Sequence, residues 1–393
     1  MQENVPAGIK YEAVSRFFAE HIQGGEAPLT FSFISGGRSN LTYKAENANG
    51  TWVLRRPPLG HVLPTAHDMA REFRVLSALA GTDVPVPRPI ALCEDVEVNG
   101  APFYVMEYCD GIVVAEEMPA GYATTPDERR RMGQAVIRTA ARLHMTDCEA
   151  VGLGSFGRPE GYLGRQVERW KKQWEASKTR EVPAIERLFE ELRAKLPVSG
   201  PPAIVHGDYR VGNMVLASDD PGRVVGVLDW EMATLGDPLA DIGWLLSTWG
   251  EATDPPEALD LNPVLWVTTA EGFPTRAELT EEYGRITGRD TSAMDYYLAF
   301  NYFKWAAIHE GIHARYLAGE TVGEGFEKYG RAPEFVDSPR GAHSGTARSP
   351  AETPPRVSSP RGSDRRAHRA PRPSRRSPRL PGRSPRCSAS SGR

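Results

Sequence analysis

Cysteine is scarce in this chain of 393 residues: there are four, at 93, 109, 148 and 387, and no two share the short spacing of a redox or zinc module. A disulfide framework is excluded as a main source of stability, and a reducing, cytoplasmic setting is the expectation. Long apolar runs are missing too. No stretch approaches the roughly 18 residues of a membrane-spanning helix, and the N-terminus lacks the basic-then-apolar pattern of a secretory signal. No internal repeat is visible. What remains is 40% hydrophobic and 25% charged, enough for substantial cores, in a chain longer than one ordinary domain.

Lysine is absent from residues 331–393, where 15 arginines and four acidic residues leave a formal charge of +11, while the preceding chain carries −15. That tail is rich in Arg, Pro, Ser, Gly and Ala and poor in large apolar residues, so disorder is expected. It reads either as an arm for nucleic acid or another anionic surface, or as GC-rich DNA translated out of frame. The second reading explains the missing lysine, whose codons are AA-rich, and on it nucleic acid is not an expected partner.

The most informative segment is 206–231, HGDYRVGNMVLASDDPGRVVGVLDWE. Moving a phosphoryl group requires a carboxylate to orient the attacking hydroxyl and hard oxygen ligands to hold Mg2+. Asp208 suits the first task, and Asn213, five residues on, offers an amide oxygen for the second. The apolar, β-branched stretches 214–217 and 223–228, separated by Ser-Asp-Asp-Pro-Gly, form a hairpin that returns the chain so that Asp229 lies beside Asn213 as an anionic ligand.

Upstream, further residues suited to phosphate occur in order. The strand at 31–34 and the next at 41–44 flank Ser35, Gly36, Gly37, Arg38, Ser39 and Asn40, a turn whose backbone N–H groups suit phosphate. Strand 51–56 alternates so that Val53 and Arg55 share a face, and the guanidinium of Arg55 is a candidate cation for phosphate. Glu72 lies in a helical pattern over 68–80 and can pair with Arg55. The run 102–111 reads as a buried strand leaving through a flexible linker.

These residues resemble the aminoglycoside phosphotransferase and choline kinase-like family, with catalytic loop HGDxxxxN. The resemblance implies an α+β, two-lobed, protein-kinase-like fold: a helical extension over 1–27, a β-rich nucleotide-binding lobe over 28–108, a helical catalytic and acceptor lobe over 109–330, and the tail over 331–393. It also implies ATP and Mg2+ as cofactors, adenine at the hinge of Glu107, Tyr108 and Cys109, and structural support of the catalytic loop by His206 and Asp241. A helix pattern over 127–145 packs under that loop. Asp237 is expected to cap the following helix, with Pro238 as its first residue. The wording ISGGRSNLTY, VLRRPP and VLDWEMATLGDPLADIGW is more similar to phosphotransferase domains fused to acyl-CoA dehydrogenases than to antibiotic kinases, which implies a hydroxyacyl thioester as the small-molecule acceptor.

Two alternatives stay open. Arginine in place of the usual lysine at position 55 is compatible with a nucleotide-binding regulator that does not turn over. His309-Glu310-Gly311-Ile312-His313 is a literal H-E-x-x-H, the pattern of zinc peptidases, although Tyr316 and Gly319 stand where the extended motif needs Gly and His. The helix at 297–317 otherwise reads as core, and Trp230, Tyr302 and Trp305 are candidates for an apolar pocket lining.

Overall fold

The structure, a computed structural model, describes residues 5–34, 40–59, 68–320 and 325–331. The expected phosphate turn from Ser35 to Ser39 and the tail beyond Arg331 lie outside the described residues.

The first lobe is a five-stranded antiparallel sheet of β1 (Thr30–Phe33), β2 (Leu41–Asn47), β3 (Gly50–Arg56), β4 (Pro89–Cys93) and β5 (Phe103–Glu107), in the order β1-β2-β3-β5-β4. Its period-two alternation is visible in β3. Trp52 and Leu54 pack on one face with Phe103 and Val105 under Val14, Phe17 and Phe18 of α1 (Tyr11–His21). Val53 turns to the other face and joins Tyr104, Met106 and the apolar stripe of α2 (Met69–Leu79). Helices on both faces explain why the central strand is buried throughout its second half. The N-terminal helix thus shares the sheet's core. Asp68 caps α2, its carboxylate accepting from the Arg71 N–H at 2.9 Å. A single turn, α3 (Val96–Asn99), links β4 to β5.

The second lobe is mainly helical: α4 (Pro126–Met145), α5 (Tyr162–Ser177), α6 (Pro183–Ala194), α7 (Leu239–Ser247), α8 (Pro256–Leu261), α9 (Val264–Thr268), α10 (Arg276–Thr287) and α11 (Met294–Leu317). α4 starts sharply because Thr125 and Glu128 form a reciprocal capping box with Pro126 in the first turn. The long α11 packs against α5, α6 and α7.

Two short ladders carry the site: β6 (Ala203–Val205) with β9 (Thr234–Gly236), and β7 (Met214–Ala217) with β8 (Asp220–Val227). The β7–β8 hairpin turns earlier than expected, at Ser218-Asp219. Pro221 and Gly222 fall in an irregular register, where Ala217 faces Asp220 and Leu216 faces Val224. Asp237 behaves as a cap one step displaced. Its carboxylate accepts from the Leu239 N–H at 3.1 Å, while Pro238 stands at the N-cap position itself.

Candidate active site

The candidate catalytic loop leaves β6 through His206 and Gly207 and is held from below by α7. Asp241, fully buried, accepts the backbone N–H of His206 at 2.6 Å and that of Gly207 at 2.8 Å. Burial alone would raise this carboxyl, but His144, at 3.3 Å from Oδ2, and the His206 N–H hold it below its ordinary value. Gly207 has φ +86°, and a Cβ there would stand 2.7 Å from that of Met232; only glycine fits this left-handed, crowded position. His206 accepts the Asp208 N–H on Nδ1 at 3.2 Å, so its proton sits on Nε2 and is donated to Leu228 O at 2.8 Å. One imidazole therefore ties the catalytic loop to the end of β8.

Asp208 is about one-fifth exposed. Its Oδ2 accepts from Asn213 Nδ2 at 2.7 Å and from Arg210 Nε at 3.3 Å, and its Oδ1 accepts from Trp244 Nε1 at 2.6 Å. The Leu228 N–H donates to Asn213 O at 2.8 Å, which brings residue 229 back beside Asn213. Asp229 has φ +68°, a strained backbone for a non-glycine residue.

Across from it, Arg55 sits in a nest of carboxylates. Its Nε lies 2.9 Å from Glu72 Oε2 without hydrogen-bond alignment, its Nη2 bonds Asp229 Oδ1, and Glu231 is 3.7 Å away. Glu72 also accepts from Tyr104 Oη at 3.0 Å and Asn40 Nδ2 at 2.9 Å. Burial pushes the Glu72 carboxyl up to about 7 against the pull of Arg55 and Tyr104. Asn40 is buried, and its amide also bridges to Glu231 at 3.0 Å, which turns that side chain toward the ion-pair cluster. Arg71, next to Glu72, donates to Phe156 O at 2.6 Å and Ala233 O at 3.0 Å, fixing α2 against the second lobe.

At the hinge, the Glu107 N–H donates to Arg88 O at 2.9 Å, Tyr108 lies under Lys44, and the Cys109 thiol faces Gly226. Burial pushes that thiol up to about 11.

Two expectations are corrected. Trp230 lines no pocket: it is 2% exposed, lies 4.6 Å from the His206 ring and donates to Val227 O at 2.8 Å. Glu310 is not poised over zinc. It is fully buried and accepts the N–H and hydroxyl of Thr179 at 2.7 and 2.6 Å, while His309 lies between Trp305 and Tyr329. Among the described residues no group of three or more His, Cys, Asp or Glu could hold a metal ion.

Residues the sequence reading did not assign also bear on the site: Tyr104, Glu231, His144, Trp244 and Lys304. A signal existed for the last two. Trp244 follows Asp241 by three residues, hence on the same helix face, and Lys304 is a lone cation in the aromatic run FNYFKWAA.

The small antiparallel sheet, the helical lobe and the loop between them define a two-lobed, kinase-like fold. The chain belongs to the phosphotransferase enzyme family, whose model matches residues 30–263. It is 36% identical over 310 residues to acyl-CoA dehydrogenase family member 10 of Mus musculus, covering 79% of this chain and 28% of that protein. Over 322 residues it is 34% identical to family member 11 of Homo sapiens, covering 80% and 40%. The chain thus spans less than half the length of these curated relatives. A solved candidate aminoglycoside phosphotransferase of Ralstonia eutropha is similar at a TM-score of 0.69 and 35% identity, over 83% of this chain and 94% of that one. A thermostable aminoglycoside phosphotransferase solved with ADP and hygromycin B shares the fold at a TM-score of 0.55 and 13% identity, over 86% and 99%. Among the described residues no helix is long and apolar enough to cross a membrane.

Proposed function

We propose that the chain is an ATP- and Mg2+-dependent phosphotransferase that moves the γ-phosphoryl group to a hydroxyl of a small molecule, with a hydroxyacyl-CoA-type metabolite as acceptor. The observation that carries the reading is the convergence of Asp208, Asn213 and Asp229 opposite the Arg55–Glu72 pair.

Among the described residues Oδ1 of Asp208 accepts one hydrogen bond, from Trp244, which leaves a second lone pair for the acceptor hydroxyl. As the acceptor oxygen bonds to phosphorus, its proton passes to Asp208, the bond from phosphorus to the β–γ bridging oxygen breaks, and ADP is the leaving group. Arg55 and the turn at 35–40 hold phosphate oxygens, Glu72 keeps Arg55 in place, and the backbone at Glu107, Tyr108 and Cys109 receives adenine. His206 and Asp241 hold the loop.

The donor set fits Mg2+. Asn213 Oδ1 and Asp229 Oδ2 are hard oxygens without a hydrogen bond among the described residues, the donor type that Mg2+ prefers. Two protein oxygens suffice because Mg2+ usually completes its shell with phosphate and water, where it would neutralise phosphate charge.

The acyl-CoA assignment draws on the two relatives named as acyl-CoA dehydrogenase family members, which align with most of this chain. It also draws on the half-buried Tyr302 and Trp305 of α11, apolar faces suited to an acyl or pantetheine arm. ADP release with MgATP over hydroxyacyl-CoA, aminoglycoside, sugar and amino-alcohol acceptors tests the reading, with Asp208→Asn as control. Turnover with hydroxyacyl-CoA is expected. ATP binding without ADP release on any of them would point to a regulator instead.

A further inference from the structure

Two buried side chains with no role in the reaction as drawn lie behind Asp208. Trp244 is 4% exposed, and its indole N–H donates to Oδ1 at 2.6 Å. Lys304, 6% exposed, comes from the facing helix α11: its Nζ stands 3.6 Å from the centre of the Trp244 ring and donates to Gly207 O at 3.0 Å. Trp170 of α5 closes the other side at 5.4 Å, and Trp305 stacks on Trp244 at 4.8 Å with its own N–H on Ser247 Oγ at 3.0 Å.

Among the described residues Lys304 forms no ion pair. A buried ammonium with one carbonyl acceptor and an aromatic face is a poor choice for stability, since an apolar side chain would fill the space at lower cost. The charges that reach it are Asp208 on the catalytic loop, Asp241 on α7 and Arg169 on α5. The arrangement makes sense if the positive charge serves the carboxylate behind which it is placed.

We propose that Trp244 and Lys304 are positioning residues for Asp208: the indole N–H fixes the carboxylate rotamer and fills one lone pair of Oδ1, while the Lys304 ammonium locks the indole and the Gly207 carbonyl. With Asp241 three residues before Trp244, one face of α7 then holds both the backbone and the side chain of the catalytic loop. The inference rests on the phosphotransferase reading.

Burial pushes the Lys304 ammonium down to about 8, with Asp208 and Asp241 resisting and Arg169 assisting. The protonated form is the locking form, so kcat falls as pH rises through that value, and Lys304→Met removes this limb.

The test uses the full-length protein labelled with 15N. The Trp244 indole N–H resonance, assigned by its loss in Trp244→Phe, is expected to move in Asp208→Asn. It should also titrate around pH 8 in the wild type and not in Lys304→Met. With MgATP and hydroxybutanoyl-CoA, or the acceptor of highest turnover, both variants lower kcat about tenfold, as loss of a hydrogen bond to a charged group implies. KM for ATP changes less than about twofold. Lys304→Met is expected to melt no lower than the wild type, which a merely structural lysine would not allow. An indole resonance indifferent to Asp208→Asn and to pH overturns the inference, and Trp244→Tyr supplies the assignment if Trp244→Phe does not fold. Unchanged kcat in Trp244→Phe also overturns it. Full turnover in Asp208→Asn would instead sink the phosphotransferase reading itself.

Discussion

The two halves of the site solve the problem of buried charge in opposite ways. On the proposed nucleotide side, Arg55 meets three carboxylates, Glu72, Asp229 and Glu231, in one cluster. On the acceptor side, a single carboxylate, Asp208, is met by neutral donors from Asn213 and Trp244, by Arg210 and, through the indole, by Lys304. On the reading proposed above, the first half is completed by Mg2+ and the nucleotide phosphates. The second is finished before any ligand arrives, as a group that must meet a hydroxyl in one geometry should be.

Asp208→Asn offers the largest separation between the halves. It removes the proton acceptor while an amide can still occupy the same volume, so ADP release is expected to fall by about a hundredfold or more. Nucleotide affinity, measured by calorimetry with MgATP, should stay near wild type. A comparable loss of nucleotide binding would show that the halves are not independent.

Arg55→Met attacks the other half. It leaves Glu72, which is 2% exposed, without its cation, and breaking a buried pair in this way typically costs about 3–5 kcal/mol. Thermal denaturation should show a clear loss, and Mg2+ should raise the melting temperature of the variant more than that of the wild type. Asp229→Asn removes the proposed anionic metal ligand instead, so the expected result is a higher Mg2+ requirement with a milder stability change.

Asp241→Asn is predicted to act on both activity and stability through the loop backbone. The charged acceptor of two buried N–H groups becomes neutral, with a loss of about 2 kcal/mol. The sign with pH follows from the direction of the shift. A carboxyl held below its ordinary value of 3.8 contributes its full stability above that value and loses it as pH falls through the folded value. The gap between wild type and variant in urea denaturation should therefore be widest near neutral pH and close under acid conditions.

Much of this arrangement is legible in the sequence where function demands a fixed residue at a fixed interval. The Asp208-to-Asn213 spacing, the hairpin and the alternation of Val53 with Arg55 follow from local chemistry and from strand and turn periods. The hairpin's tip was misplaced because a register irregularity absorbed Pro221 and Gly222 within the strand. Trp244 and Lys304 carry no assigned role in the sequence because apolar periodicity does not distinguish an indole that packs from one that also donates its N–H. The contact between them is tertiary, across 60 positions of chain from one helix to another. Glu231 and Tyr104 escaped for the same reason. Trp230, a candidate for an apolar pocket lining, is instead drawn inward by His206 and the Val227 carbonyl.

The smallest expected effect on activity belongs to the H-E-x-x-H segment. Glu310 serves Thr179, whose N–H and hydroxyl it accepts, and Arg180 stands 3.6 Å away. Burial, with Lys328 adding, pushes the His309 imidazole down to about 3, so this ring is neutral at working pH and packs as an aromatic. Glu310→Ala is thus expected to strand two donors at the start of the 179–182 connection and to lower stability by about 1–3 kcal/mol. kcat and KM below the melting range should stay within about twofold of wild type, because the helix face toward Trp244 is set by Lys304 and Trp305. A large fall in kcat at full folding would mean that this end of α11 belongs to the acceptor half, and the boundary of the preorganised region would have to be drawn two turns further along the helix.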